Sequence, residues 1–314
     1  DVGKFLRTAN LYKGARNILS WTTEECHKEQ YPSTEKTIEV DYAFGLLLKQ
    51  LGEYTKSKTL LAKVLQQQKD RLGETHLNVL TVMESIASIE STLGNKRNAL
   101  TQYEFTLFHK EKQLEEEETI LTTKALIANI QKDLGEYEIS EQSLLFIRNR
   151  RADLLGPEHS DTLNTIYSLA NLYKTMSRYD EAEQLYLDVL KGKSALFGEQ
   201  HTNTFNAQAA LAGFYKLMGR YDEADTIFTQ VLIGRKALLG ENHSSTITSM
   251  SSLASLYKTM GRLDDSQTLY EDVLQRRIEI FGHLHTQTLS SISLLGNLFF
   301  QQGKYEQAEH LYNQ

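Results

Sequence analysis

Histidine can act as metal ligand, acid or base near neutral pH, and here it stands at His159, His201, His243 and His285, each 42 residues from the next. If that spacing is one structural repeat, neighbouring imidazoles lie roughly 10 Å apart, the usual distance between packed helices. A zinc ion needs all its ligands within about 2.0–2.3 Å, and no cysteine or carboxylate recurs beside these histidines. They are therefore expected to be packing and turn residues, with no metal. Ser160, His159 and Asp161 are adjacent in sequence, but adjacency alone does not build a nucleophile–base–orienter relay. The glycines are singletons, so there is no phosphate-binding loop. No catalytic residue and no cofactor is expected. A second set, Lys132, Lys174, Lys216 and Lys258, also recurs at a spacing of 42. A row of cations can hold an acidic ligand, and a lysine in the last turn of a helix also complements the helix dipole wherever it points. Both readings stand on the spacing alone.

The elements that carry these residues follow from apolar periodicity. In 159–200, Leu163, Ile166, Leu169, Ala170, Leu172 and Tyr173 fall at helical spacing, a short polar break follows at Ser177-Arg178, and Ala182, Leu185, Tyr186, Val189 and Leu190 make a second helical run. The break reads Met-Gly-Arg at 218–220 and 260–262, and Gly156, Gly198, Gly240 and Gly282 close the second helices, as suits glycine's access to left-handed backbone. Thr162, Thr204, Thr246 and Thr288 keep the same register. The unit is helix, tight turn, helix, turn, and a fixed period of this size marks a stacked repeat array. The expected repeats are 37–75, 76–118, 119–158, 159–200, 201–242 and 243–284, with a truncated one at 285–314. Residues 1–36 hold a partial repeat and an irregular connection around Trp21, Cys26 and Pro32. The opening Gly3-to-Tyr12 stretch aligns with Gly303-to-Tyr312, so both ends are expected to be cut from a longer array.

Small residues recur where two helices must touch: Ala170, Ala212, Ala254 and Gly296 in first helices, Ala182, Ala224, Ser266 and Ala308 in second helices. A large aromatic follows the latter by four positions: Tyr186, Phe228, Tyr270 and Tyr312. Leu169-Ala170, Tyr173, then Arg178-Tyr179-Asp180-Glu181-Ala182-Glu183 and Leu185-Tyr186 resemble the tetratricopeptide repeat (TPR). The 42-residue length, against a usual one of about 34, and the ending Leu154-Leu155-Gly156-Pro157-Glu158-His159 resemble the kinesin light chain subfamily, whose repeats also occur in intracellular receptor-type proteins. The resemblance implies an all-α, right-handed superhelical solenoid of antiparallel helix pairs, with first helices lining a concave groove. It implies a non-enzymatic scaffold that holds protein or peptide there, through Asn129, Lys132, Tyr167, Asn171, Lys174, Lys216, Lys258 and Asn297. Two further roles fit the same fold: sensor or self-association module of a receptor-type (NLR-like) ATPase, and cargo adaptor of the kinesin light chain kind. The kinesin light chain pattern carries asparagine three residues before the small residue, where this chain has Tyr167, Ala209, Ser251 and Ser293.

Composition narrows the partners. Forty-one acidic against 34 basic residues give a net charge of −7, which argues against a nucleic-acid backbone as partner. No apolar run is long enough to span a bilayer, and one cysteine, Cys26, cannot form an internal disulfide. The expected setting is cytoplasmic, with an acidic or carboxylate-bearing protein segment in the groove, no membrane, and self-association through the array ends as a further contact.

Overall fold

The computed structural model describes residues 35–113 and 115–313. The irregular connection with Trp21, Cys26 and Pro32 lies outside the described residues. Among those described there are fourteen helices and no strand. They fall into two compact units that meet at Leu155 and Gly156 in the sequence. The first holds α1 (Glu35–Gln50), α2 (Tyr54–Leu72), α3 (Leu77–Thr92), α4 (Lys96–Lys112), α5 (Glu117–Leu134) and α6 (Tyr137–Leu155). The second holds α7 (Ser160–Thr175), α8 (Tyr179–Phe197), α9 (Thr202–Leu217), α10 (Tyr221–Leu239), α11 (Ser244–Thr259), α12 (Leu263–Phe281), α13 (Thr286–Gln301) and α14 (Tyr305–Tyr312). Within each unit every helix packs on the next in the chain, and the first helices α9 and α11 also touch directly, as do α1 and α3.

The turns follow from local chemistry. Inside a pair, the first helix ends with a residue of positive φ: Gly219 at 76°, Gly261 at 79°, Gly303 at 76°. The following amide then folds back on the helix, as Arg220 N–H does to the Tyr215 carbonyl at 2.9 Å, which satisfies a carbonyl left over at the helix end. Ser177 occupies the same place with φ 60°, the one non-glycine among the described residues in this region. After the second helix the backbone is more demanding. Gly198 has φ 86° and ψ 162°, a region open essentially to glycine alone.

Packing follows the small–large pattern. Ala170, Ala212, Ala254, Ala182, Ala224 and Ser266 are wholly buried, with Tyr186, Phe228 and Tyr270 buried beside them. Gly296 shows why these positions stay small: a Cβ there would sit 2.6 Å from the Tyr312 ring. Where the second-helix residue is serine, its hydroxyl donates to the carbonyl of the first-helix small residue: Ser57 to Gly45 at 2.6 Å, Ser140 to Ala128 at 2.7 Å, Ser266 to Ala254 at 2.8 Å. Gly192 and Gly234, mid-helix rather than at turns, make room for Leu163 and Phe205; a Cβ on Gly234 would lie 2.3 Å from the Phe205 ring. Successive repeats are tied by the recurring threonine. Thr204 Oγ1 donates to the Gly198 carbonyl at 2.7 Å and Thr246 Oγ1 to that of Gly240 at 2.8 Å.

Two outcomes test this account. Ala212→Leu forces extra methylenes between α9 and α10, so it should lower the urea-unfolding free energy by about 1–3 kcal/mol; an unchanged midpoint would mean the helices do not meet there. Ser177→Gly removes a left-handed strain of about 1–2 kcal/mol and adds back part of it as glycine's unfolded-state entropy. A net gain of about 0.5–1 kcal/mol should appear as a raised melting temperature, and a fall would show that the serine conformation is unstrained.

Candidate binding groove

Three consecutive first helices of the second unit, α7, α9 and α11, share one face, and between them lies a cavity of about 580 Å³. Its walls include Asn164 and Tyr167 of α7, Asn206 and Ala209 of α9, and Ser249 and Ser252 of α11. Its floor includes Lys193 of α8 and Arg235 of α10. Above that floor the walls are mostly small and uncharged, asparagine, serine and threonine mixed with alanine, so backbone of another chain could approach closely and hydrogen-bond along them.

Of the residues expected to hold a ligand, Tyr167 lines this cavity, its exposed ring edge-on to Tyr186 at 6.0 Å. Asn171 sits one turn on: its amide donates to the Tyr167 carbonyl at 3.0 Å, and its oxygen accepts from Tyr186 OH at 2.8 Å and from Lys174 Nζ at 3.2 Å. Lys174, Lys216 and Lys258 stand in the last turns of α7, α9 and α11, beyond the cavity. Lys216 reaches across a repeat to donate to Ser255 Oγ at 2.6 Å. Burial, and then the charge of Lys258, hold Lys216 below the ordinary lysine pKa, so these two ammonium groups feel each other. Asn297 Oδ1 accepts from Tyr312 OH at 3.1 Å. Asn129 and Lys132 belong to α5 in the other unit: Asn129 donates to the Ala125 carbonyl at 2.9 Å, and Lys132 pairs with Asp133 at 3.3 Å.

The histidines cap helices. Nδ1 of His76, His159, His201, His243 and His285 accepts the amide two residues on, at 3.1–3.3 Å, which satisfies one of the free donors at a helix start. Rings stack behind two of them, Phe197 on His201 at 4.7 Å and Phe281 on His285 at 4.5 Å. The arginines of the turn are equally occupied. Arg178, Arg220 and Arg262 lie 3.8–3.9 Å over the rings of Tyr173, Tyr215 and Tyr257, and each bonds the acid three residues on, Glu181, Glu223 or Asp265. The acidic run Glu115–Glu118 opens α5, where Glu117 bonds Arg150 at 2.8 Å. Among the described residues no group of three or more His, Cys, Asp or Glu is gathered as metal ligands, and no helix is long and apolar enough to cross a membrane.

Sequence reading passed over Lys193 and Arg235. They belong to a register of second-helix cations, Arg151, Lys193, Arg235 and Arg277, also 42 residues apart, and all four are buried. The signal available was a basic residue recurring one turn past the apolar positions Val189, Val231 and Val273.

The tetratricopeptide repeat model matches residues 37–106, 119–195, 203–277 and 252–314. The chain belongs to the tetratricopeptide repeat family. Stacked helix pairs are that family's fold, and TPR arrays generally bind proteins. No curated protein matches the chain. Among solved structures, a kinesin light chain of nearly identical TPR-like repeats from Podosopora anserina is 23% identical, over 63% of this chain and 93% of its own, with a TM-score of 0.54. A Rap protein complexed with Competence and Sporulation Factor is 13% identical, over 99% of this chain and 94% of its own, with a TM-score of 0.60. The signal-transduction ATPase with numerous domains from Pyrococcus horikoshii, which bears a TPR sensor, is 13% identical over 96% of this chain and 47% of its own, at a TM-score of 0.53. At these identities the likeness is one of fold.

The caps make one outcome pH-dependent. Burial, and secondarily the charge of Arg235, hold His243 below the ordinary histidine pKa. Protonation would turn its Nδ1 from acceptor to donor and cancel the cap. Because the folded value is depressed, the unfolded chain binds more protons, so the contribution is complete above about pH 6.5 and declines as pH falls below it. His243→Asn keeps a capping side chain without the titration. Its melting temperature should fall less than the parent's between pH 7.5 and 5; parallel falls would mean that the cap is not what titrates.

Proposed function

We propose that the second unit holds an extended protein or peptide segment along the face of α7, α9 and α11, as the non-enzymatic interaction part of a larger cytoplasmic protein. The observation that carries this is the cavity of about 580 Å³, open to three successive first helices, whose lining mixes alanine and aromatic side chains with asparagine, serine and threonine. An extended strand rises about 3.3 Å per residue, so side chains two or three apart can meet successive repeats. Lys174, Lys216 and Lys258, with Asn171 and Asn297 on the same helix series and Tyr167 at the cavity, give that segment an acidic character in this reading; Asn129 and Lys132 would play the corresponding part in the first unit. The mutual repulsion of Lys216 and Lys258 supports it, since an acidic ligand group would relieve it. Complex formation by a protein of the same fold, the Rap protein complexed with Competence and Sporulation Factor, supports the mode. The same groove would serve the sensor of a receptor-type ATPase or an adaptor's cargo site, and the fold is common to the structures that bear those names.

Peptides selected from a random library against the folded chain should carry acidic residues at intervals of about three. The double variant Lys174→Glu, Lys216→Glu should then bind them roughly tenfold more weakly, with a shallower dependence on salt, since each exposed pair is worth about 0.2–1 kcal/mol and reversal doubles the change. Unaltered affinity in the folded variant would reduce these lysines to helix-end electrostatics.

A further inference from the structure

The floor of the groove carries two buried cations, Lys193 and Arg235, whose hydrogen bonds among the described residues all go to neutral oxygens. In the first unit, the cations buried on second helices meet acids: Lys110 Nζ bonds Glu84 Oε1 at 2.7 Å, and Arg151 bonds Glu118. In the second unit the same register meets neutral oxygens. Lys193, 6% exposed, bonds Ser160 Oγ and Asn164 Oδ1, each at 3.0 Å. Arg235, 5% exposed, bonds Asn206 Oδ1 at 2.6 Å, Ser249 Oγ at 2.7 Å and the Ser245 carbonyl at 3.1 Å, while its Nε finds no acceptor among the described residues. The cavity these two cations line has no aspartate or glutamate in its walls, in a chain of net charge −7. The field of Asp161, on the outer start of α7, reaches Lys193 and works against its burial, but Asp161 is not part of the lining.

A buried cation held only by neutral dipoles is costly unless an anion joins it. The two acceptors most easily replaced are Asn164 and Asn206, both on exposed side chains that can swing aside. An anionic oxygen in their place forms a bond about twice as strong as a neutral one.

We propose that Lys193 and Arg235, one repeat apart in the same cavity, make its floor a cationic site that draws in the carboxylate or phosphate group of an acidic side chain on the bound segment. The site rests on the groove reading for its ligand's delivery, but its chemistry is testable with small anions alone. Arg277 is the internal comparator: it too is buried, bonds Ser291 Oγ at 2.7 Å and has an Nε without an acceptor among the described residues, yet it does not line the cavity.

The full chain is titrated at constant ionic strength with N-acetyl-L-aspartate, O-phospho-L-serine and, as neutral control, N-acetyl-L-asparagine. The readouts are the Arg235 side-chain Nε–H resonance and the melting temperature. At least one of the two anions should shift the resonance saturably and raise the melting temperature, and the asparagine derivative should do neither. A response to phosphoserine alone assigns a phosphorylated segment; a response to the aspartate derivative assigns ordinary acidic side chains. Lys193→Gln should weaken the response at least tenfold, and Arg277→Gln should leave it as in the parent. Arg235→Lys, which keeps charge and loses the guanidinium, gives a second folded variant expected to weaken it. Silence toward both anions, an equal response to the neutral control, or a Lys193→Gln variant that responds like the parent overturns the site. If library peptides bind while small anions do not, this site fails and the groove reading survives; if small anions bind and no peptide does, the reverse holds.

Discussion

One helix pair cannot bury its own apolar face. Tyr186, Phe228 and Tyr270 each fill the space beside a wholly buried alanine or serine, and Tyr186 and Tyr270 lie against the next repeat as well as their own. Stability within a unit is thus a chain of nearest-neighbour terms, and every other feature serves to keep neighbours in register. The threonine hydroxyl bonded to the preceding glycine carbonyl fixes the height of one repeat on the last. Turn arginines, stacked on tyrosine and paired with an acid, fix the angle within a pair, and Arg220 adds a bond to Glu183 of the preceding repeat at 2.6 Å. A histidine cap starts the next first helix at a set residue. Each device is modest, but each repeats.

Such devices are legible in sequence because each is a residue type at a fixed offset with a local cause. Glycine after a second helix marks a backbone region closed to other residues; small residues twelve apart mark a close approach; histidine at 42 marks a helix start. Their exact use is less legible. Spacing alone suggested packing and turn roles for the histidines, and the hydrogen bond from the amide two residues on is what makes them caps. Gly192 and Gly234 show the limit more sharply. Nothing near them in sequence says that glycine is required, because the reason, the ring of Phe205 or the branch of Leu163, sits on another helix.

The groove shows the same divide. Lysine in the last turn of α1, α5, α7, α9 and α11 is conspicuous, because it recurs four residues after the small residue of each of those helices. Lys193 and Arg235 are hidden in runs that look like ordinary core, and long basic side chains often lay their stems on apolar surface with the charge outside. Whether such a cation is neutralised depends on residues contributed by two other helices, which is tertiary information. In the first unit those residues include Glu84 and Glu118, and in the second they are Ser160, Asn164, Asn206 and Ser249. A substitution from acid to amide or hydroxyl leaves the helical pattern untouched and changes the electrostatics of the floor.

This separation locates the function within the repeat. From 159 onward, positions needed for stacking vary little from copy to copy: alanine, serine or glycine at the crossings, an aromatic ring beside them, histidine and threonine at the start. Positions facing the cavity are free of those duties and do vary. Three residues before the small residue the cavity is lined by Tyr167 and Ala209, and six before it by Asn164, Asn206 and Thr248. Tyr167 beside Ala209 makes one end of the cavity aromatic and the next stretch shallow, so successive repeats offer different contacts along one line. A surface that only needed solubility would favour charge at such positions; these are uncharged, and the charge lies beneath them in Lys193 and Arg235. Small neutral walls over a cationic floor suit a ligand that brings its own backbone and its own acid.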